Sequence, residues 1–329
     1  MNLIPKTRPT YTFSKHNSPI HQAAPQDLLC FETYDCFTNR LLPPDATYEN
    51  TPFLPGNPLT GPVFISGANP GDVLKIDIQK ITPGPTGIVV VGPKSGCLRE
   101  YFPERKILRI PVNDKEIQFT PQVRLPLRPM IGTIGVAPAG EAIPSVTPSS
   151  HGGNMDCTKI TEGSTLYLPV FTPGALLSMG DVHAAMGDGE VEDCGLEIEA
   201  RVTVCVDIIH TLKIDWPLLE TEDAWISIAS RDTMDEAWQA ADRQMFDFLT
   251  NQVGIDPYEA GMLLTLTGNL AFCQTVNPKL TARMEFPKTV TKQYGFYTLT
   301  GQKTESIRFD TGPCTQAPQK NSTRERSND

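Results

Sequence analysis

The residues best suited to chemistry in this chain lie between His151 and Glu190, where two of its five histidines stand among acidic residues and glycines. Asp181 and His183 are two positions apart, so an extended backbone directs both side chains to one face. Carboxylate oxygen and imidazole nitrogen are both ligands that zinc accepts. The spacing therefore predicts a metal site of the kind that activates water for hydrolysis.

Other residues of the same stretch could complete or replace this site. His151, Asp156 and Glu190 are the next candidates for ligands or bases. The ordinary alternatives are a buried, hydrogen-bonded histidine and aspartates that cap turns. A cysteine nucleophile is a second chemical alternative, because Cys157 follows Asp156 and Cys194 lies just beyond Glu190, although a buried inert thiol is the commoner use of such residues.

Composition excludes several classes of protein. The 329 residues can bury a sizeable core. A formal net charge of −10 argues against nucleic-acid binding, which normally needs a basic patch. The sequence has no apolar run long enough for a transmembrane helix, and its first residues lack the apolar core of a signal peptide. The eight cysteines form no CxxC pair, so we expect a cytoplasmic protein without a disulfide framework.

The sequence predicts that the elements positioning these residues are mainly β-strands. Thirty prolines and 25 glycines separate short β-type runs, a rhythm typical of a sandwich or barrel. The clearest run is 195–209, where apolar and polar residues alternate, and this predicts one half-buried strand with Glu197 on its solvated face. We expect loop-like structure over 83–105 and irregular structure over 124–138.

A capping box at Thr233–Glu236 opens a helical pattern that Gly254 would end, and Asp256-Pro257 starts a second helix. The fold class is therefore a β-sandwich-like core with a smaller α+β C-terminal portion. We expect three regions: a β-rich domain over 1–215, an α+β portion packed on it over 216–310, and a disordered polar tail over 311–329.

Several short blocks, in the same order, resemble the acetamidase/formamidase family of linear-amide hydrolases. Together they span roughly residues 10–290, and no single one is decisive. The blocks are Tyr11-Thr-Phe-Ser-Lys15, Phe31-Glu-Thr-Tyr-Asp35, Gly61-Pro-Val63, Gly67-Ala-Asn-Pro-Gly-Asp72, Pro129-Met-Ile-Gly-Thr-Ile-Gly-Val-Ala-Pro138, His151-Gly-Gly-Asn-Met-Asp156, Leu168-Pro-Val170, Gly180-Asp-Val-His-Ala-Ala-Met-Gly-Asp-Gly-Glu190 and Cys273-Gln-Thr-Val-Asn-Pro278.

The resemblance implies a β-sandwich-based fold, a metal site and hydrolysis of small aliphatic amides to carboxylate and ammonia. We expect a divalent cation, zinc or alternatively calcium, and a homo-oligomer, most simply a dimer. We expect the metal ligands to be Asp35, Asp181 and His183. We expect the catalytic residues to be Glu190, Asn154 and Asp156, with Glu190 as the general base. The expected substrate-binding residues are His151, Gly152, Gly153 and Arg40, and the two glycines would offer backbone N–H groups to the oxyanion.

One departure from the family pattern leaves a second function open. Asn39-Arg40 stands where the family usually shows a Gly/Asn-Gln pair, so Arg40 could add a cation at the pocket mouth and change the choice of substrate. It could also mark a catalytically inactive, metal-stabilised protein that binds small molecules. Ammonia release from short amides distinguishes the two functions.

Overall fold

A computed structural model describes residues 1–51 and 55–299. The described chain is mainly β, as the sequence predicts. In chain order the strands are β1 Asn2–Ile4, β2 Thr12–Phe13, β3 His21–Ala23, β4 Leu28–Thr33, β5 Thr60–Ile65, β6 Val73–Pro83, β7 Thr86–Val91, β8 Lys106–Pro111, β9 Glu116–Gln118, β10 Arg124–Pro126, β11 Met130–Gly135, β12 Ile143–Pro144, β13 Gly152–Asn154, β14 Thr165–Pro169, β15 Leu177–His183, β16 Glu197–Ile198, β17 Ala200–Ile209, β18 Leu218–Glu220, β19 Ala224–Arg231, β20 Asn269–Gln274 and β21 Leu280–Pro287.

Two large sheets contain most of these strands. The first has the order β1-β4-β17-β6-β14-β18-β19-β21-β20, and the second has the order β13-β11-β15-β16-β7-β8, with β5 pairing with β15 and β3. One continuous cluster of buried apolar side chains draws on both sheets, with Val202 and Leu74 from the first and Ile131 and Val182 from the second. This shared core confirms the predicted sandwich-like architecture.

The helices lie in the C-terminal third and follow their sequence signals. They are α1 Met234–Phe248, α2 Pro257–Thr267 and α3 Lys288–Thr291, with a π-helical turn at Leu249–Val253 and 3-10 turns at Arg99–Tyr101 and Lys292–Tyr294. The Thr233 hydroxyl caps α1 by accepting from the Glu236 N–H at 3.2 Å, and Asp256 caps α2. Gly254 follows the π-helical turn with a positive φ. None of the helices in the described ranges is long and apolar enough to span a membrane.

The first sheet contains strands from both sides of the domain boundary that the sequence predicts between residues 215 and 216. Strand β18 lies beyond this boundary and pairs with β14, which lies before it. Residues Met1–Phe296 form one compact unit. The polar tail predicted for 311–329 lies outside the described residues.

Three expectations about local structure are wrong. Residues 83–105 contain β7, and 124–138 contain β11, a central strand that is buried throughout. Prolines and glycines flank both strands. These turn-forming residues made the short β-type runs between them resemble loops. The third error is the single strand over 195–209, which is broken between β16 and β17.

The break at residue 199 moves the chain from one sheet to the other. Strand β16 pairs with β15 in the second sheet, whereas β17 pairs with β4 and β6 in the first. The alternation of β17 holds, with Val202, Val204 and Val206 buried. Glu197, however, is only 3% exposed, because β16 lies among strands of the other sheet. The predicted solvated position of Glu197 is therefore wrong.

Candidate metal and active site

Strand β15 brings Asp181 and His183 together, as their spacing predicts. The strand pairs with β11 on one side, but the register skips the positions of Asp181 and Gly132. Asp181 has a φ of 56°, an unusual value for a residue with a side chain. In this irregular strand, Asp181 Oδ1 lies 3.6 Å from His183 Nε2.

Two further carboxylates meet the same imidazole. Glu197 Oε1 lies 3.1 Å from His183 Nε2, and Asp156 Oδ1 lies 4.0 Å from it. Asp156 and Glu190 both have positive φ values, of 44° and 45°. Non-glycine residues in this region are strained, and such strain concentrates at functional sites. The strained positions here coincide with the acidic cluster.

Hydrogen bonds fix the orientation of Asp181. Its Oδ2 accepts from Asn57 Nδ2 at 2.7 Å and from the Thr133 hydroxyl at 3.0 Å. The same hydroxyl lies 2.6 Å from Asn154 Oδ1. With Oδ2 occupied in this way, Oδ1 is the oxygen that faces His183. Such supporting contacts are typical of metal ligands.

Asp156 is oriented from the C-terminal part of the chain. Asn277 Nδ2 donates to Asp156 Oδ2 at 2.6 Å and to the carbonyl of Asn154 at 3.0 Å. Asp156 Oδ1 is buried and has no hydrogen-bond partner. One oxygen of Asp156 is therefore held by the protein, while the other faces His183.

Buried polar atoms without partners mark this cluster as a place for a cation. They are Asp156 Oδ1, Glu197 Oε2 and both ring nitrogens of His183. Leaving such atoms unpaired costs on the order of 1–3 kcal/mol each, and more where a charge is involved. A bound metal ion would satisfy several of them at once, so the donor set fits a divalent cation.

Burial and the nearby charges shift the pKa values of Asp156, Glu197 and His183. Burial raises the pKa of Asp156 to about 7, and the Asp181 charge adds to the effect. Burial likewise raises the pKa of Glu197 to about 7. Burial acts to lower the pKa of His183, but the Glu197 and Asp181 carboxylates outweigh it and raise that pKa well above its ordinary value. Without a bound cation, the single positive charge of protonated His183 is too small to balance the buried carboxylates around it.

Two adjacent groups of side chains could hold a metal ion among the described residues. One comprises Cys36, Asp181 and Glu197, and the other Asp156, His183 and Glu190. Within each group the ligand atoms lie within 4.8 Å of one another. The carboxylate, imidazole and thiol groups present are all zinc ligands.

A cavity of about 380 Å³ opens onto this cluster. The acidic side chains that line it are Asp181, Glu190, Asp193 and Glu197. Apolar side chains and two arginines, Arg40 and Arg105, line other parts of it. A small molecule that enters the cavity therefore meets the candidate metal ligands directly.

Two glycines leave room for the cluster. A Cβ on Gly132 would lie 2.6 Å from Asp156 Oδ1 and 2.8 Å from Asp181 Oδ2. A Cβ on Gly195 would lie 2.6 Å from His183 Nδ1. All three distances are far below a normal contact, so neither position accepts a side chain without displacing a site residue.

Asp35 lies outside both groups of candidate ligands. Its Oδ1 accepts the N–H groups of Phe37 and Asn39, at 2.9 and 2.6 Å, and so shapes a turn. Burial raises its pKa to about 6. The side chain is buried, and its hydrogen bonds shape the loop that carries Arg40.

The His151-Gly152-Gly153 segment also contributes differently from expectation. His151 does not line the cavity; it is buried edge-on against Phe13, with the ring centroids 4.8 Å apart. Burial lowers its pKa to about 3. The Gly152 N–H donates to the Ser149 carbonyl at 3.1 Å, so it is occupied in a turn. Asn154, by contrast, lines the cavity as expected.

The cysteine alternative gains no support from the geometry. Cys157 is fully buried and does not line the cavity. Cys194 lines the cavity, but burial raises the pKa of its thiol well above the ordinary value, which disfavours the nucleophilic thiolate.

Sequence reasoning missed Glu197, Asn57, Thr133 and Asn277. Glu197 was hidden by an apparent strand alternation that spans two sheets. Asn57 and Asn277 each precede a proline, an arrangement common in turns, and nothing in their local sequence indicates contact with the acids. These residues reach the site through tertiary structure alone.

The sequence profile of the acetamidase/formamidase family matches residues 15–145 and 139–227, most of the chain. The chain belongs to the acetamidase/formamidase family. A crystal structure of an acetamidase from Bacillus halodurans is 38% identical, with a TM-score of 0.86, and the match covers 89% of this chain and all of that one. A predicted acetamidase/formamidase from Thermoanaerobacter tengcongensis is 36% identical, with a TM-score of 0.87, over 90% and 99% of the two chains.

Curated members of the acetamidase/formamidase family match over a shorter region. An acetamidase from Mycolicibacterium smegmatis is 28% identical over 219 residues, which are 47% of this chain and 54% of that protein. The chain spans about half the length of the curated relatives it matches. These matches show the family and the fold of the chain.

Proposed function

We propose that this protein hydrolyses the C–N bond of small linear amides with the help of a divalent metal ion. The observation that carries the proposal is the buried cluster of Asp181, His183 and Glu197, which lies beside a cavity and has unpaired ligand atoms. The names of the family relatives support the same reaction. The substrate class is the formamide and acetamide type.

We propose zinc as the metal, with Asp181, His183 and Glu197 as its ligands. An imidazole and a nearby thiol favour zinc over calcium, which prefers six to eight oxygen ligands. Cys36 and Asp156 lie close enough to contribute. Glu197 takes the place that we assigned to Asp35 from the sequence, because Asp35 Oδ1 is engaged by backbone N–H groups.

Amide hydrolysis requires an activated water, a stabilised oxyanion and a protonated leaving group. A bound divalent metal lowers the pKa of water and polarises the amide carbonyl. Glu190 lines the cavity wall, where its carboxylate can take a proton from the attacking water and return it to the nitrogen. The C–N bond breaks, the water oxygen bonds to the carbonyl carbon, and the products are a carboxylate and ammonia.

Neighbouring amide side chains can orient the substrate. Asn154 and Asn277 both line the cavity beside the acids. Asn57 also lines it, and its Nδ2 is already engaged by Asp181. Together these polar groups give an amide substrate hydrogen-bonding partners next to the base.

Ammonia release tests the proposal. Metal-loaded protein should release ammonia from formamide or acetamide, protein treated with a chelator should not, and added zinc should restore the reaction. Metal-loaded protein that binds amides without ever releasing ammonia would favour the inactive binding protein instead.

The proposal also includes a cytoplasmic homodimer, in keeping with the free cysteines among the described residues. Analytical ultracentrifugation tests the dimer.

A further inference from the structure

The site cavity is larger than formamide or acetamide requires. Its volume of about 380 Å³ falls within the range of roughly 300–1,000 Å³ that is typical of sites for drug-sized ligands. Besides the acids beside the candidate metal site, its wall contains Asp193, Arg40 and Arg105. A substrate of only a few atoms would leave much of a cavity of this volume unfilled.

Arg105 has the features of a prepared anion-binding group. Its guanidinium carbon lies 3.7 Å from the centroid of the Tyr48 ring, and the side chain is half-buried. Stacking on an aromatic face leaves the N–H edge of a guanidinium available for a carboxylate in its plane. Among the described residues Arg105 forms no ion pair, although exposed Glu49 feels its charge.

Arg105 lies where the site cavity meets a second cavity. Tyr48 and Arg105 line both the site cavity and a neighbouring outer cavity, whereas Asp181 and Glu197 line only the site cavity. Arg105 therefore lies at the wall between the two cavities. A molecule with its amide at the acidic side would place its other end near this wall.

The loop around these groups is built to hold them in place. Arg109 donates to the carbonyls of Leu41 and Ala46, both at 2.7 Å, and so fixes the segment before Tyr48. The turn that Asp35 organises immediately precedes Arg40. The Tyr48 ring also packs edge-on against Phe37, with centroids 5.9 Å apart. Rigid placement reduces the entropy cost of binding an anion.

We infer that the preferred substrate is a short linear amide with a carboxylate at its far end, which Arg105 and Arg40 bind while the amide faces the metal cluster. This inference rests on the proposed amidase function and narrows its substrate class to ω-amides of short dicarboxylic acids. The arginines also offset the repulsion that the carboxylates of the cavity, including Asp193, would exert on such an anion.

The test compares succinamate with 4-methylpentanamide, in which a neutral isopropyl group replaces the carboxylate. Wild-type protein loaded with zinc should show a kcat/KM at least about tenfold higher for succinamate. In Arg105→Met this ratio should fall by about 10- to 100-fold, the effect expected for loss of a charge-assisted hydrogen-bonding partner. Arg99 is exposed and does not line the cavity, so Arg99→Met is the matched control and should keep the wild-type ratio.

Each other result overturns a defined part of the account. Hydrolysis of the neutral amide with no preference for succinamate, or an unchanged ratio in Arg105→Met, would overturn this inference and leave the amidase function standing. Absence of ammonia from both amides and from acetamide would overturn the proposed function itself. If Arg105→Met does not fold, Arg40→Met provides the same comparison, with the same fall in the ratio expected.

Discussion

At the scale of single residues, the site depends on His183, whose Nε2 faces three carboxylates. We expect His183→Ala and Asp181→Ala each to abolish amide hydrolysis and to lower the bound zinc by about 10-fold or more, because each removes a ligand. Atomic absorption on purified protein and an ammonia assay measure both effects. His210→Ala is the control, since His210 is exposed and pairs with Asp72 at 2.8 Å away from the site.

Glu190 should behave differently from the ligands. Glu190→Gln retains shape and an oxygen donor but cannot accept a proton, so zinc content should stay near wild type while kcat falls by about 100-fold or more. The exposed Glu222→Gln gives the matched control. If Glu190→Gln lost zinc in proportion to activity, Glu190 would have to be a ligand instead of the base.

His151 should make the fold sensitive to acid. Its folded pKa of about 3 lies below the ordinary 6.5, because burial disfavours the charged ring. The unfolded chain therefore binds the proton first, so the stability that neutral His151 contributes is present above pH 6.5 and lost as pH falls toward 3. The full loss would be about 5 kcal/mol.

Replacing this histidine should flatten that acid limb. In His151→Leu the free energy of unfolding, measured by denaturant titration, should fall less steeply between pH 6.5 and 3 than in wild type. The control is His16→Leu, because His16 is exposed. Equal slopes in wild type and His151→Leu would contradict a neutral buried imidazole.

The sequence predicted the pair Asp181 and His183 from their spacing of two residues in one segment, but the positive φ of Asp181 could not be predicted from that spacing. The predicted solvated position of Glu197 is wrong, because burial of that residue depends on which sheet the chain enters. Asp35 as a ligand stays a prediction, and the turn that it organises could not be predicted because it requires the contacts with Phe37 and Asn39.

At the scale of elements, the paired strands β11 and β15 leave space for the carboxylates of the site because Gly132 has no side chain. Gly132 faces the irregular position of Asp181, and a Cβ there would meet two carboxylates. Gly132→Ala should therefore reduce zinc affinity by about 10-fold or more, measured by competition with a chromogenic chelator. Gly140→Ala is the matched control, since a Cβ at Gly140 meets nothing within 4 Å. Equal zinc affinities would show that the strand pair is not what shapes the site.

Elements with strong local signals were predicted well, and those defined by partners were not. Helices α1 and α2 begin at their predicted caps because capping is a short-range interaction. Strand β11 was missed because its residues Met130–Gly135 show no alternation: all are buried, between neighbours on both sides. A strand of this kind becomes recognisable only once its partners β13 and β15 are known.

At the scale of the whole molecule, the metal should stabilise the fold and do so more at higher pH. In the metal-free protein Asp156 and Glu197 have pKa values of about 7, raised by burial. Raised carboxyl pKa values mean that stability present at low pH is lost as pH rises through about 7. The metal-free Tm should therefore fall between pH 6 and 8, while bound zinc offsets the charges.

Calorimetry of zinc-loaded and chelated protein measures this difference. We expect chelation to lower Tm by roughly 5–10 °C at pH 8 and by less at pH 6. A chelator effect that is absent, or that is larger at pH 6 than at pH 8, would contradict a cation held by these buried acids.

The most direct test of the central claim is an anomalous-scattering map at the zinc edge, from crystals grown with zinc. The account predicts a peak within coordination distance, roughly 2.0–2.2 Å, of His183 Nε2 and of carboxylate oxygens of Asp181 and Glu197. A map without a peak in this cluster, or with its only peak elsewhere in the chain, would contradict the account.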